Sequence, residues 1–242
     1  GRNPASGYRQ WSKGLSRDIG KLWLPENFAI FFTGSPFERA YMSDFMGDSE
    51  TETDQFTIIE ALHSSLSPNT QQRVVIRWHP NLVNAGPRLK QRVDKCIRAT
   101  PSFIHVRPDT KLDSHTLMEQ ASLVIASGST MGIEAAAFGK PSVVVGIAGY
   151  MDTGSVYYAT NALALAKIVE QIPPPLDPEG ALEYGYFLGN FGNVKLRYVT
   201  WNSHGETLFE GKLVKPRLLS LLGRVRRAVW RCSMSLSQGK ST

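Results

Sequence analysis

Short apolar runs recur along the chain, and between them apolar residues return at helical spacing. Phe28 to Phe32, Arg73 to Trp78, Phe103 to Val106, Leu123 to Ala126 and Ser142 to Gly146 each read as a strand. Phe56, Ile59, Leu62 and Leu66 line one face of a helix after the first strand, and Leu89, Val93, Cys96 and Ile97 do so after the second. Asp113 or Ser114 can cap a short helix carrying Leu117, Met118 and Ala121, and Ala162 to Ile172 is helical up to the prolines at 173–175. Met46 to Asp54 is acidic and polar, hence loop. Strands without a polar face that alternate with helices of about ten residues are the mark of a parallel sheet covered on both sides. The expected fold is therefore α/β, a Rossmann-like parallel sheet with helices on both faces.

Beyond the triple proline the pattern changes. Tyr184 to Gly192 is aromatic and glycine-rich, its rings reading as packing before sugar platforms, and Lys195 to Trp201 can be extended. Pro216 to Arg231 suits an amphipathic basic helix, with Leu218, Leu221, Leu222, Val225 and Val229 on one side and Arg217, Arg224, Arg227 and Arg231 on the other. The boundaries this implies are a linker or domain remnant over 1–26, a Rossmann-like domain over 27–175 and a C-terminal extension over 176–242. The chain opens Gly-Arg-Asn-Pro without a methionine, which suggests a piece of a longer protein.

Charge refines this division. The formal net charge is +6, yet eight of the twenty-seven Lys and Arg lie beyond residue 210 with no acid among them, leaving nineteen basic against twenty-one acidic residues before it. The body is slightly acidic, so no nucleic-acid partner is expected, and an anionic surface would be met by the tail alone. No apolar run approaches the roughly 18 residues a membrane span needs, and no signal peptide is visible. Cys96 and Cys232 sit in unlike settings, one on an apolar helix face and one in the basic tail, which favours a reduced, cytoplasmic protein. The five histidines lack zinc-site spacing, so neither metal nor cofactor is expected.

Candidate chemistry gathers at the strand ends, where ligands sit in parallel sheets. Gly34-Ser35 follows the first strand, His79-Pro80 the second, Ser127 to Thr130 the fourth and Gly146 to Tyr150 the fifth. The most informative stretch is Gly128-Ser129-Thr130-Met131-Gly132-Ile133-Glu134, a turn from a buried strand into a short helix. Its backbone N–H groups and hydroxyls suit an anion such as phosphate, and Glu134 lies about a turn further on, where it can hold a ribose hydroxyl. The same residues can serve merely as a helix cap.

Taken in order, Arg77-x-His79-Pro80-Asn81, the turn Gly128-Ser129-Thr130-x-Gly132-x-Glu134-Ala135, Gly139-Lys140-Pro141 and Tyr184 to Leu188 resemble the C-terminal, donor-binding half of GT-B glycosyltransferases. The resemblance, closest to the capsule polysaccharide biosynthesis proteins, runs over about residues 27–200. It implies transfer of a sugar from a nucleotide-sugar donor to a growing surface or capsular polysaccharide or a lipid-linked acceptor. Ser127, Gly128, Ser129 and Thr130 would meet the phosphates, Arg77 and His79 would neutralise phosphate charge as the glycosidic bond breaks, with His79 the catalytic candidate, and Glu134 would take ribose hydroxyls. The N-terminal acceptor domain of such enzymes is missing from the sequence. Three other readings stay open: a sugar-nucleotide 2-epimerase, a glycerophosphotransferase of the wall teichoic acid type, and a nucleotide-binding domain without turnover. The basic helix over 216–231 would either rest peripherally on the inner membrane surface or dock on that acceptor domain.

Overall fold

The protein's structure, a computed structural model, describes residues 15–17, 22–35, 54–190, 199–201, 207–210 and 212–213. The basic helix expected over 216–231 and the acidic loop expected over most of 46–54 lie outside the described residues. Two compact units divide the chain, residues 1–189 and 190–242.

The first unit is built on six strands: β1 (Ala29–Thr33), β2 (Val74–Arg77), β3 (Ile104–Val106), β4 (Leu123–Ser127), β5 (Ser142–Val145) and β6 (Tyr157–Ala159). All are parallel, in the order β3-β2-β1-β4-β5-β6. This is the doubly wound arrangement, whose order reverses between β1 and β4. The helices are α1 (Gln55–Ser65), α2 (Pro68–Gln71), α3 (Pro87–Ala99), α4 (Ser114–Gln120), α5 (Met131–Ala137), α6 (Ala162–Glu170) and α7 (Glu179–Asn190), with a 3-10 turn at Pro80–Asn84.

The strands lack a polar face because both their faces are covered. Ala29, Phe31, Val74, Ile76, Leu123, Ile125, Val143 and Val145 point into a core shared with Phe56, Ile59 and Leu62 of α1, Val93 and Cys96 of α3, and Leu165 and Val169 of α6. Their neighbours Phe28, Ile30, Phe32, Val75 and Val124 point the other way, onto Leu117 and Met118 of α4 and Met131 and Ala135 of α5. Each such side chain fully buried contributes about 1.5–3 kcal/mol. The two-residue alternation is thus hidden from a polar-versus-apolar reading although it divides the core in two.

Two elements differ from the sequence reading. β6 is only three residues long and half exposed at the sheet edge, too brief for periodicity to reveal. The aromatic stretch after the triple proline, which the sequence reading left without an element, is helical up to Asn190: Ala181 of α7 is buried, its N–H donates to the Ser155 hydroxyl at 2.9 Å, and Tyr184 packs edge-on against Tyr150. The first unit therefore runs to Gly189, past the boundary expected at 175. At the other end, Leu22 and Leu24 pack on the core, and Ser16 forms a bridge to Leu112, donating to the Lys111 carbonyl and accepting from the Asp113 N–H. In the second unit β7 (Val199–Trp201), β8 (Thr207–Phe209) and β9 (Lys212–Leu213) form a small antiparallel sheet.

Candidate nucleotide site at the sheet's switch point

The register sets Phe32 beside Arg77 and Thr33 beside Ser127, so the loops leaving β2, β1 and β4 start side by side. They are tied at once. Thr33 donates its hydroxyl to the Arg77 carbonyl at 3.3 Å and accepts the His79 N–H at 2.8 Å. Across the switch point the loops touch: a β-carbon on Gly34 would stand 2.5 Å from the Ser127 carbonyl oxygen, so only glycine fits. The Gly34 N–H is held by Gln55 Oε1 at 2.9 Å, which binds α1 into the same junction.

From this junction the 127–130 turn departs. Ser127 is buried, Gly128 takes φ +67°, a left-handed conformation natural to glycine, and Ser129 and Thr130 emerge toward solvent. The Ser129 hydroxyl accepts the Met131 N–H at 3.4 Å, and the Ser129 carbonyl accepts the phenolic O–H of the buried Tyr150. Burial pushes the Tyr150 pKa up, so this donor keeps its proton. Among the described residues the N–H groups of Gly128, Ser129 and Thr130 donate to no acceptor. Three consecutive backbone donors thus stand ready at the point where a doubly wound sheet takes its ligand.

Arg77 does not join them by contact. It is only 2% exposed, and its guanidinium donates to the carbonyls of Arg107 at 2.7 Å and of Thr110 and Leu112 at 3.3 Å each. Its Nε is buried without an acceptor among the described residues. Burial pushes its pKa down to about 10, which leaves it cationic at neutral pH. The expected phosphate ligand is instead a pillar for the loop between β3 and α4, and its charge reaches a ligand only through space.

His79 stands at the end of β2, half-buried, and its Nδ1 accepts the Asn81 N–H at 3.1 Å. That bond assigns the proton of the neutral ring to Nε2. Burial, reinforced by Arg77, pushes its pKa down to about 4. With its pKa so low, His79 at neutral pH offers a hydrogen bond rather than a charge.

Glu134 on α5 accepts the Thr130 hydroxyl at 2.7 Å through Oε1 and lies 2.7 Å from His115 Nε2 through Oε2. Each carboxylate oxygen keeps a lone pair for a further donor. His115, on α4, has Nδ1 3.6 Å from Asp113 Oδ1, so its ring sits between two carboxylates. The hydrogen bond to Glu134 holds the His115 pKa above its usual value, and the same bond holds Glu134 below the usual carboxylate range. Sequence reasoning passed over His115 and Gln55 as site residues, and reached Tyr150 only as the end of the 146–150 loop. None carries a local motif, since each reaches the site from an element far along the chain. Among the described residues no three His, Cys, Asp or Glu side chains converge to hold a metal ion, and no helix is long and apolar enough to cross a membrane.

With this geometry in place, comparison with known proteins gives one family. Residues 44–163, just under half of the chain, match the family described as capsule polysaccharide biosynthesis protein. That stretch contains the 77–81 strand end and the 127–134 turn. No curated protein matches the chain. Similar solved structures include a putative UDP-N-acetylglucosamine 2-epimerase from Listeria monocytogenes, at 14% identity and TM-score 0.43, covering 78% of this chain and 52% of that one. KpsC, a beta Kdo 2,4 transferase from Thermosulfurimonas dismutans, is similar at 14% identity and TM-score 0.41, covering 66% and 44%. AviGT4, a glycosyltransferase involved in avilamycin A biosynthesis, is similar at 18% identity and TM-score 0.41, covering 80% and 54%. The chain spans about half the length of these structures. Likeness at this level bears on neither activity nor substrate.

Proposed function

We propose that this chain is the donor-binding half of a glycosyltransferase that builds a surface or capsular polysaccharide. The observation that carries the proposal is the set of uncommitted N–H groups at Gly128, Ser129 and Thr130, beside the switch point of a doubly wound sheet. In this reading those donors take the phosphates of a nucleotide-sugar. Ser129 adds its hydroxyl, Thr130 keeps its own on Glu134, and the free lone pairs of Glu134 accept ribose hydroxyls. As the glycosidic C–O bond breaks, its electron pair moves onto the phosphate oxygen, and fixed backbone donors stabilise the charge that develops there. His79 Nε2–H supplies a further donor. The family match over 44–163 supports the assignment to polysaccharide synthesis. The acceptor is a polysaccharide or a lipid-linked sugar, and the tail beyond residue 210 is the part suited to an anionic membrane surface.

Calorimetric titration with UDP, GDP, CDP and CMP tests the site. We expect one of them to bind in the micromolar to millimolar range, and Gly128→Val, which forces a branched side chain into the left-handed position, to weaken it at least tenfold. A folded protein that gives no heat with any of the four refutes the reading.

A further inference from the structure

Glu134 poses an electrostatic problem for the site just described. Its carboxylate is bonded to Thr130, one of the residues meant to receive phosphate, and Asp113 adds a second acidic group close by. Two carboxylates beside an anion site oppose the anion. The structure places one imidazole between them, His115, with Nε2 2.7 Å from Glu134 and Nδ1 3.6 Å from Asp113. A neutral imidazole has one N–H and one lone pair, so it would turn that lone pair toward one of the carboxylates. Only the imidazolium offers a proton to each. A ring placed between two carboxylates favours its charged form.

We propose that the His115 imidazolium is the counter-charge that lets a nucleotide phosphate bind beside Glu134, and that it holds the Glu134 carboxylate in position for the ribose. This rests on the nucleotide reading above and makes His115 a positioning residue. Among the described residues two carboxylates face it. Asp113 comes from the start of its own helix and Glu134 from α5. Behind Asp113 stand Arg17, 3.9 Å away and exposed on the 15–17 segment, and the buried Arg77, within electrostatic reach. Asp109 also faces Arg77, so Arg77 cannot be assigned to Asp113 alone, and His115 is the cation set between Asp113 and Glu134. Loss of its proton makes the cluster more negative by one charge, and Arg17, being exposed, offsets little of it. Nucleotide affinity is therefore highest where His115 is charged and falls as pH rises through its elevated pKa.

The test uses the full chain and whichever of UDP, GDP, CDP or CMP binds most tightly, titrated between about pH 5.5 and about pH 8.5, the range in which histidine changes charge. In the wild type the dissociation constant is expected to rise roughly tenfold across His115 titration, equivalent to about one pKa unit of coupling. His115→Gln keeps a donor toward Glu134 without the charge. It should bind at the wild type's weak, high-pH level throughout, and because the ligand's own ionisation is common to both proteins, the ratio of the two profiles isolates His115. By linkage, saturating nucleotide must raise the His115 pKa read by NMR in the wild type. That readout decides even if the variant fails to fold. Parallel profiles, or a His115 pKa unmoved by ligand, overturn this proposal and leave the nucleotide reading standing; absence of binding by all four nucleotides at every pH overturns both.

Discussion

His79 and His115 show how one residue type is turned to opposite uses by its surroundings. Burial, reinforced by a neighbouring guanidinium, pushes the His79 pKa down, whereas the hydrogen bond to Glu134 holds that of His115 up. If the His79 Nε2–H serves the leaving phosphate, His79→Ala should cut turnover of the complete enzyme by roughly 10² or more without unfolding the domain, as loss of a transition-state donor typically does. Near wild-type turnover would reduce His79 to the residue that starts the 3-10 turn. Stability follows the same two rings in opposite directions. The depressed pKa of His79 means that the unfolded chain takes up a proton first as pH falls, so His79 costs stability from about pH 6.5 down to about 4. The raised pKa of His115 contributes stability that is full below about pH 6.5 and disappears as pH rises through the folded value. The sequence alone pointed to His79, since a His-Pro pair at a strand end is a local pattern. It could not reveal His115, whose meaning depends on Glu134 arriving from a later helix, nor the depressed pKa of His79, which comes first from its own burial and then from Arg77.

Among the elements, the loop between β3 and α4 owes its course to one side chain. Three carbonyls of that loop converge on the Arg77 guanidinium from within β2. Arg77→Met fills much of the space and removes the donors, leaving carbonyls unpaired in a buried setting, at about 1–3 kcal/mol for each that water cannot reach. We expect a loss of about 3 kcal/mol in denaturant unfolding, with the loop the first segment to exchange its amide hydrogens. An unchanged midpoint would show that the loop holds itself. Arg77 reads in sequence as a cation beside a candidate site, and only the coordinates reveal that its N–H groups are already committed. The turn at 127–130 is the opposite case. Gly128 after an apolar strand marked a turn, and the structure has it there in the left-handed conformation, at φ +67°.

At the scale of the whole molecule, the doubly wound sheet was legible because each central strand is an unbroken apolar run, which a single-faced sheet would not tolerate. The edge strand β6 and the helix α7 escaped notice: the first is three residues long, and the second carries three glycines and three aromatics that mask its period. The tail remains a matter for experiment. If residues 211–242 meet a membrane, deleting them should abolish sedimentation with anionic vesicles, and salt should weaken it, since each basic residue near such a surface is worth about 1 kcal/mol; equal sedimentation of intact and shortened protein would place the contact elsewhere. The strand order also bears on how the chain is made. β1 lies at the centre of the sheet, yet its partners, beginning at Val74 and Leu123, leave the ribosome much later. Until Leu123 to Ser127 is available, Ala29 to Thr33 has at best one neighbour and presents an apolar open edge to any other nascent strand. The contact of Gly34 with Ser127 thus waits until β4 has been made, and a chain halted before it is a candidate for chaperone capture or aggregation.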